Sequence, residues 1–155
     1  MNIILVNFVI IGENIIMSEE KIFIETPCLY YDKINMNNRC YVKGAFEESC
    51  NKKVPVTLEF DDNYIYDDPD KVIGHAELEN RDDYVYSYLT LNNTEEVRRY
   101  LKDCGIGIYA NKVQFNERKD DSKRIITEIT KANIQAIGLT LTPSDPDLRI
   151  KEDNK

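Results

Sequence analysis

Tyr84-Val85-Tyr86-Ser87-Tyr88-Leu89-Thr90-Leu91 decides the fold class. Val85, Ser87, Leu89 and Leu91 fall on one side of an extended chain, and Tyr84, Tyr86, Tyr88 and Thr90 on the other. That period of two is the signature of a half-buried strand. Upstream, Lys71–Leu78 is a second such run, and the polar stretch Glu79–Asp83 between them predicts a hairpin. Lys21–Glu25 alternates in the same way and is expected to end at Thr26-Pro27. Val54–Leu58 reads as a short strand whose Pro55 favours an edge or a first position. Ile106–Phe115 and Arg124–Ala132 read as strands joined by a charged turn at Asn116–Lys123. A last strand, Ile134–Leu141, is broken by Thr142-Pro143.

One helix stands out among the strands. Val97, Tyr100, Leu101 and Cys104 recur at i, i+3, i+4 and i+7 and give a single apolar stripe. Asn93 is the expected N-cap with Glu96 three residues on, and Gly105 the expected stop, so the helix is placed at about residues 93–104. Glu95 and Arg99 form an i,i+4 pair. Minor helical turns are expected at Gly44–Cys50, with Phe46 and Cys50 inward, and Tyr30–Arg39 is polar and Asn-rich, as in a turn or loop. Many short strands with one good helix predict a β-rich α+β domain, specifically a small, mostly antiparallel β-barrel.

The 155 residues suffice for one domain with a sizeable core. The net charge of −8 and the lack of a basic stripe argue against nucleic acid, because counterion release needs clustered Lys and Arg. Cys28, Cys40, Cys50 and Cys104 make no CxxC pair and no Cys/His set with zinc spacing, so no metal, no cofactor and reduced thiols are expected. Met1–Ile16 is apolar but lacks the basic flank of a signal peptide and the about 20 residues of a membrane span, so no membrane partner is expected. Two readings of residues 1–16 stay open: a start placed too early, with translation beginning at Met17, or an extra N-terminal strand. Residues 17–150 are expected to form a single domain, and residues 151–155 a polar tail.

Five segments, in order, carry a resemblance. They are Lys43-Gly44-Ala45-Phe46-Glu47, Val54-Pro55-Val56, Val72-Ile73-Gly74-His75-Ala76, the helix ending before Gly105, and Ile134–Ile150 with Thr142-Pro143-Ser144-Asp145-Pro146. Together they resemble the prohead (head-maturation) serine proteases of tailed bacteriophages, whose fold is related to the herpesvirus assemblins. The resemblance covers roughly residues 30–150. It implies a Ser nucleophile, a His base and a third group that orients the His, acting on scaffold and capsid-protein segments inside a maturing prohead.

Those three groups are missing here. Phe60, in Glu59-Phe60-Asp61, stands where the resemblance implies the His. Tyr109 or Gly107, depending on register, stands in place of the Ser, and Ala136 in place of the third group. A neutral hydroxyl needs a base within hydrogen-bond reach to attack a peptide, so no catalytic residue is assigned and an enzyme is not favoured. The only histidine, His75, falls where the family has an Arg and reads as an ordinary strand residue. Cys104 lies on the apolar stripe and reads as core. The Asp61–Asp70 loop lacks the ligand spacing of a calcium loop and reads as solvated. Tyr84, Tyr86 and Tyr88 either form a contact surface or face a second layer of the fold.

The resemblance therefore implies a phage or prophage head-morphogenesis protein that binds scaffold or capsid protein without cutting it. An active maturation peptidase with atypical residues and a structural component of a virion or tail-like particle are the alternatives. It further implies a place in the cytoplasm of a bacterial host or in the virion, and a homodimer by analogy with related viral proteases.

Overall fold

A computed structural model of the protein describes residues 9–12, 15–50, 52–59 and 68–150. The strands are β1 (Val9–Gly12), β2 (Ile15–Met17), β3 (Lys21–Tyr30), β4 (Arg39–Tyr41), β5 (Lys53–Leu58), β6 (Val72–Asn80), β7 (Tyr84–Asn92), β8 (Gly105–Lys119) and β9 (Ile125–Thr140). One α-helix, α1 (Glu95–Tyr100), and 3-10 turns at Glu47–Ser49 and Pro146–Leu148 complete the described elements. The domain is therefore β-rich with a single helix.

The strands form one sheet in the order β1-β2-β3-β7-β6-β5-β9-β4, with β8 along the opposite edge of β9. All pairings are antiparallel except β4 and β5 on β9. The expected barrel is not formed, because among the described residues no ladder joins β3 to β8. Side chains fill that seam instead. Tyr30, Tyr41, Ile108 and Leu148 line a small void between the two strands. The C-terminal turn is tied into it: Lys33 Nζ donates to Asp145 Oδ1 at 2.8 Å, and Met36 N–H to the Ser144 carbonyl at 2.8 Å. A wedge of side chains satisfies the core without the backbone bonds that closure needs.

Alternation places the core. Val85, Ser87, Leu89 and Leu91 are buried on the inner face of β7, and Tyr84, Tyr86, Tyr88 and Thr90 lie outward, as the period of two predicts. The inner face joins Ile22 and Ile24 of β3, Val54 and Val56 of β5, Ile134 and Ile137 of β9, and Val97, Leu101 and Cys104 after β7 in one cluster. Each large aliphatic side chain so buried contributes about 1.5–3 kcal/mol. Phe46 is fully buried and Cys50 packs against the same cluster, as expected for the Gly44–Cys50 turn.

Several boundaries differ from the sequence expectation. β3 runs through Thr26-Pro27 to Tyr30 because a register shift between Pro27 and Leu29 absorbs the proline. β5 is an interior strand, and Pro55 is tolerated because pairing with β9 begins only at Val56. Arg124–Ala132 and Ile134–Leu141 are one strand, β9, whose two halves take different parallel partners on one edge, β4 and then β5. The helix covers only Glu95–Tyr100. Its N-cap is Thr94, whose hydroxyl accepts from Val97 N–H at 3.2 Å, and not Asn93. Asn93 donates instead to the Ser18 carbonyl and accepts from Arg98. Gly105 is not a helix stop but the first residue of β8, and a Cβ there would stand 2.6 Å from the Pro143 ring. No described helix is long and apolar enough to cross a membrane, which says nothing of strands.

Candidate functional site

Tyr109 on β8 pairs directly with Ala136 on β9, so the fold brings together two of the three positions singled out in the sequence. The Tyr109 hydroxyl donates to the carbonyl of Glu59 at 3.4 Å. Phe60, the third position, lies outside the described residues, but its neighbour Glu59 belongs to the same group. Gly107, the alternative to Tyr109, pairs with Gly138 two residues along the ladder.

Glu59 organises this region. It ends β5 with φ of 59°, a left-handed conformation that costs about 1–2 kcal/mol for a residue with a Cβ. Its N–H donates to the Leu139 carbonyl at 2.7 Å. Its carboxylate accepts from the Thr140 hydroxyl at 2.7 Å and from Leu141 N–H at 3.0 Å. Burial, then the charge of Glu59 and a hydrogen bond to it, push the Tyr100 hydroxyl above its ordinary pKa. The carboxylate is thus occupied by donors from β9 and its end and from α1. Thr140 is the hydroxyl closest to a base here, but it is 3% exposed and its oxygen also accepts from Thr142 N–H at 3.1 Å. A buried hydroxyl spent on neighbouring backbone lacks the access that attack on a peptide needs. The arrangement pins the ends of β5 and β9 together.

His75 and Cys104 stand apart from this group. His75 is exposed on the outer face of β6, between Pro55 and Thr90 on the neighbouring strands. Cys104 is fully buried, and its thiol is pushed up to about 12, chiefly by burial and secondarily by Asp103. A thiol so raised is neutral at physiological pH and carries no nucleophilic thiolate. All four cysteines are free thiols. Of the acidic loop Asp61–Asp70, residues 61–67 lie outside the described residues; Asp68 caps a turn by accepting from Asp70 N–H at 2.9 Å.

The outer face of β3, β7 and β6 holds a continuous strip of tyrosines. Tyr84–Tyr86 and Tyr86–Tyr88 ring centres lie 6.0 and 5.2 Å apart, and Tyr30 extends the strip to within 6.0 Å of Tyr84. Arg81, from the hairpin turn, stacks 4.0 Å over the Tyr86 ring and donates to the hydroxyls of Tyr84 and Tyr88 at 3.2 and 3.1 Å. Glu79 completes the set, accepting from Tyr88 at 2.7 Å and from Arg81 at 3.1 Å. Arg81 and Tyr88 hold the Glu79 carboxyl below the usual carboxylate range. No second layer covers these rings among the described residues. They are half-exposed and held in place, the condition in which Tyr and Arg contribute most to a contact at least entropic cost.

Sequence reasoning found the tyrosines but missed Arg81 and the role of Glu59. Arg81 sits in the hairpin turn expected from the sequence, yet its stacking depends on the direction in which that turn projects. Glu59 meets Thr140, which is 81 residues away, and no local pattern records such a contact. No family model, curated protein or solved structure matches the chain.

Proposed function

We propose that the chain is a prohead-protease-like domain that binds a scaffold or capsid protein during phage head assembly and does not cleave it. The observation that carries this reading is the Tyr109–Ala136 pair beside Glu59, a region that the sequence resemblance marks as catalytic and that here serves as a structural clasp. The five ordered segments quoted above support the family part of the proposal. The tyrosine–arginine strip supports the binding part, because it offers aromatic anchors with their partners already satisfied. The binding would take place in the bacterial cytoplasm or in the assembling particle.

The test pairs a binding assay with a chemical one. The purified chain, mixed with a phage scaffold or major capsid protein, should co-elute with that protein and leave it uncut. A fluorophosphonate probe should leave the chain unlabelled. Fragments that vanish on substitution of Thr140, Cys104 or His75 would overturn the binding-only reading. Absence of co-elution with both proteins would overturn the assembly role.

A further inference from the structure

A second feature of the outer face lies beside the tyrosine strip. A cleft of about 650 Å³ opens over the ends of β3, β7, β6 and β5. Its polar lining is Lys21, Lys53, His75, Thr90 and Asn92. Register explains the convergence: Lys21 pairs with Asn92 and Thr90 with His75, while Lys53 lies one row on, opposite Glu77.

Each of these side chains offers a donor. Lys21 Nζ donates to Asn92 Oδ1 at 2.9 Å, which occupies the amide oxygen and leaves the Asn92 NH₂ to offer. Thr90 contributes a hydroxyl and His75 a ring N–H. No Asp or Glu lines the cleft among the described residues, although the chain has 28 acidic against 20 basic residues. Glu77 meets Lys53 at 3.7 Å with both side chains about two-thirds exposed, a pair that a bound dianion readily displaces, and Asp68 and Asp70 flank Pro69 in sequence.

The apolar part of the lining is shaped by a backbone irregularity. Register between β5 and β6 shifts between Val56↔Gly74 and Thr57↔Val72, so Ile73 is an extra residue. Ile73 packs against the core, and Val72 turns out to line the cleft with Pro55 and Pro69. The volume falls within the about 300–1,000 Å³ typical of small-molecule sites and exceeds what a bare inorganic anion fills.

From these converging donors over an apolar wall, we infer that the cleft binds a small organic phosphate monoester. The phosphoryl oxygens take the Lys21, Lys53, His75, Thr90 and Asn92 donors, and the organic group lies on Pro55, Pro69 and Val72. The two lysines match the charge of about −1.5 to −2 that a monoester carries at neutral pH. This assignment is independent of the assembly role proposed above.

Titration of the full chain with phenyl phosphate, followed by calorimetry and by backbone amide shifts, tests it. Saturable binding should shift His75, Thr90 and Asn92, and affinity should fall as salt is raised. Benzoate should bind more weakly, and benzyl alcohol should not compete. Lys21→Gln with Lys53→Gln should weaken phenyl phosphate about tenfold or more, as loss of charge-assisted hydrogen bonds does, while Lys119→Gln on the distant β8–β9 turn leaves it unchanged. Equal weakening by Lys119→Gln, or shifts spread beyond the cleft, would overturn the site. Benzoate binding as tightly as phenyl phosphate would overturn the phosphate assignment. A phosphoserine peptide binding tenfold tighter than phenyl phosphate would overturn the small-molecule assignment.

Discussion

Gly74→Ala asks whether β6 and β7 must meet as closely as they do beneath the cleft. A Cβ at this position would stand 2.1 Å from the Thr90 carbonyl oxygen and 2.8 Å from Leu91 Cα. Both are backbone atoms of the paired strand, so no side chain can swing aside. Real Cβ contacts essentially never fall below 3.0 Å, so the strands must part by about 1 Å. Ladder bonds of about 2.9–3.0 Å would then stretch to nearly 4 Å and cease to be hydrogen bonds. The strain falls on the Gly74↔Leu91 and His75↔Thr90 pairs. Two bonds lost at about 1 kcal/mol each, with overpacking of about 1–3 kcal/mol, give a destabilisation of about 3–5 kcal/mol. For a urea m-value of about 2 kcal/mol/M, the midpoint should fall by about 1.5–2.5 M in unfolding followed by circular dichroism. A shift of less than about 0.3 M with unchanged m would refute the reasoning, because β6 and β7 would then accommodate the methyl group without losing their ladder.

Two further perturbations separate the structure from simpler readings of the sequence. Thr94→Ala removes the helix N-cap and should cost about 1 kcal/mol, a fall of about 2–4 °C in Tm for a chain of this size. Asn93→Ala should spare the α1 cap and act through the lost ties to Ser18 and Arg98, so a larger helical loss in Asn93→Ala than in Thr94→Ala would restore the cap to that residue. Burial raises the thiols of Cys28, Cys40, Cys50 and Cys104 above the ordinary range, Cys50 to about 11 and Cys104 to about 12. At pH 8 all four should remain protonated in the folded chain and resist iodoacetamide. Mass spectrometry should show four adducts only in denaturant. Rapid native alkylation of Cys104 would contradict its place in the core.

The strand faces were legible because burial in a sheet depends on parity alone. The buried and outward residues of β7, the inward stripe of Val97, Leu101 and Cys104, and the burial of Phe46 all follow from spacing within fewer than ten residues. The capping residue was not legible, since Asn93 and Thr94 are both good caps and the choice depends on which is drawn away. The Ser18 carbonyl and Arg98 draw Asn93 away, and Ser18 lies 75 positions earlier in the chain. The halves of β9 read as two strands because no local pattern records that one strand continues from Ile125 to Thr140 while its partner changes from β4 to β5.

The sequence alone determined that this is a β-rich domain with one helix. It also determined that the three positions singled out by the resemblance, Phe60, Tyr109 and Ala136, hold no serine and no histidine. Both are local properties, fixed by the order of residue types. Only the tertiary structure decided that the sheet stays open, that Glu59 clasps β5 to β9, and that Arg81 organises the tyrosine strip. It likewise decided that five donors from four strands line one cleft. Each of these depends on contacts between residues far apart in sequence, whose geometry is set by register, bulges and the side chains that fill the seam between β3 and β8.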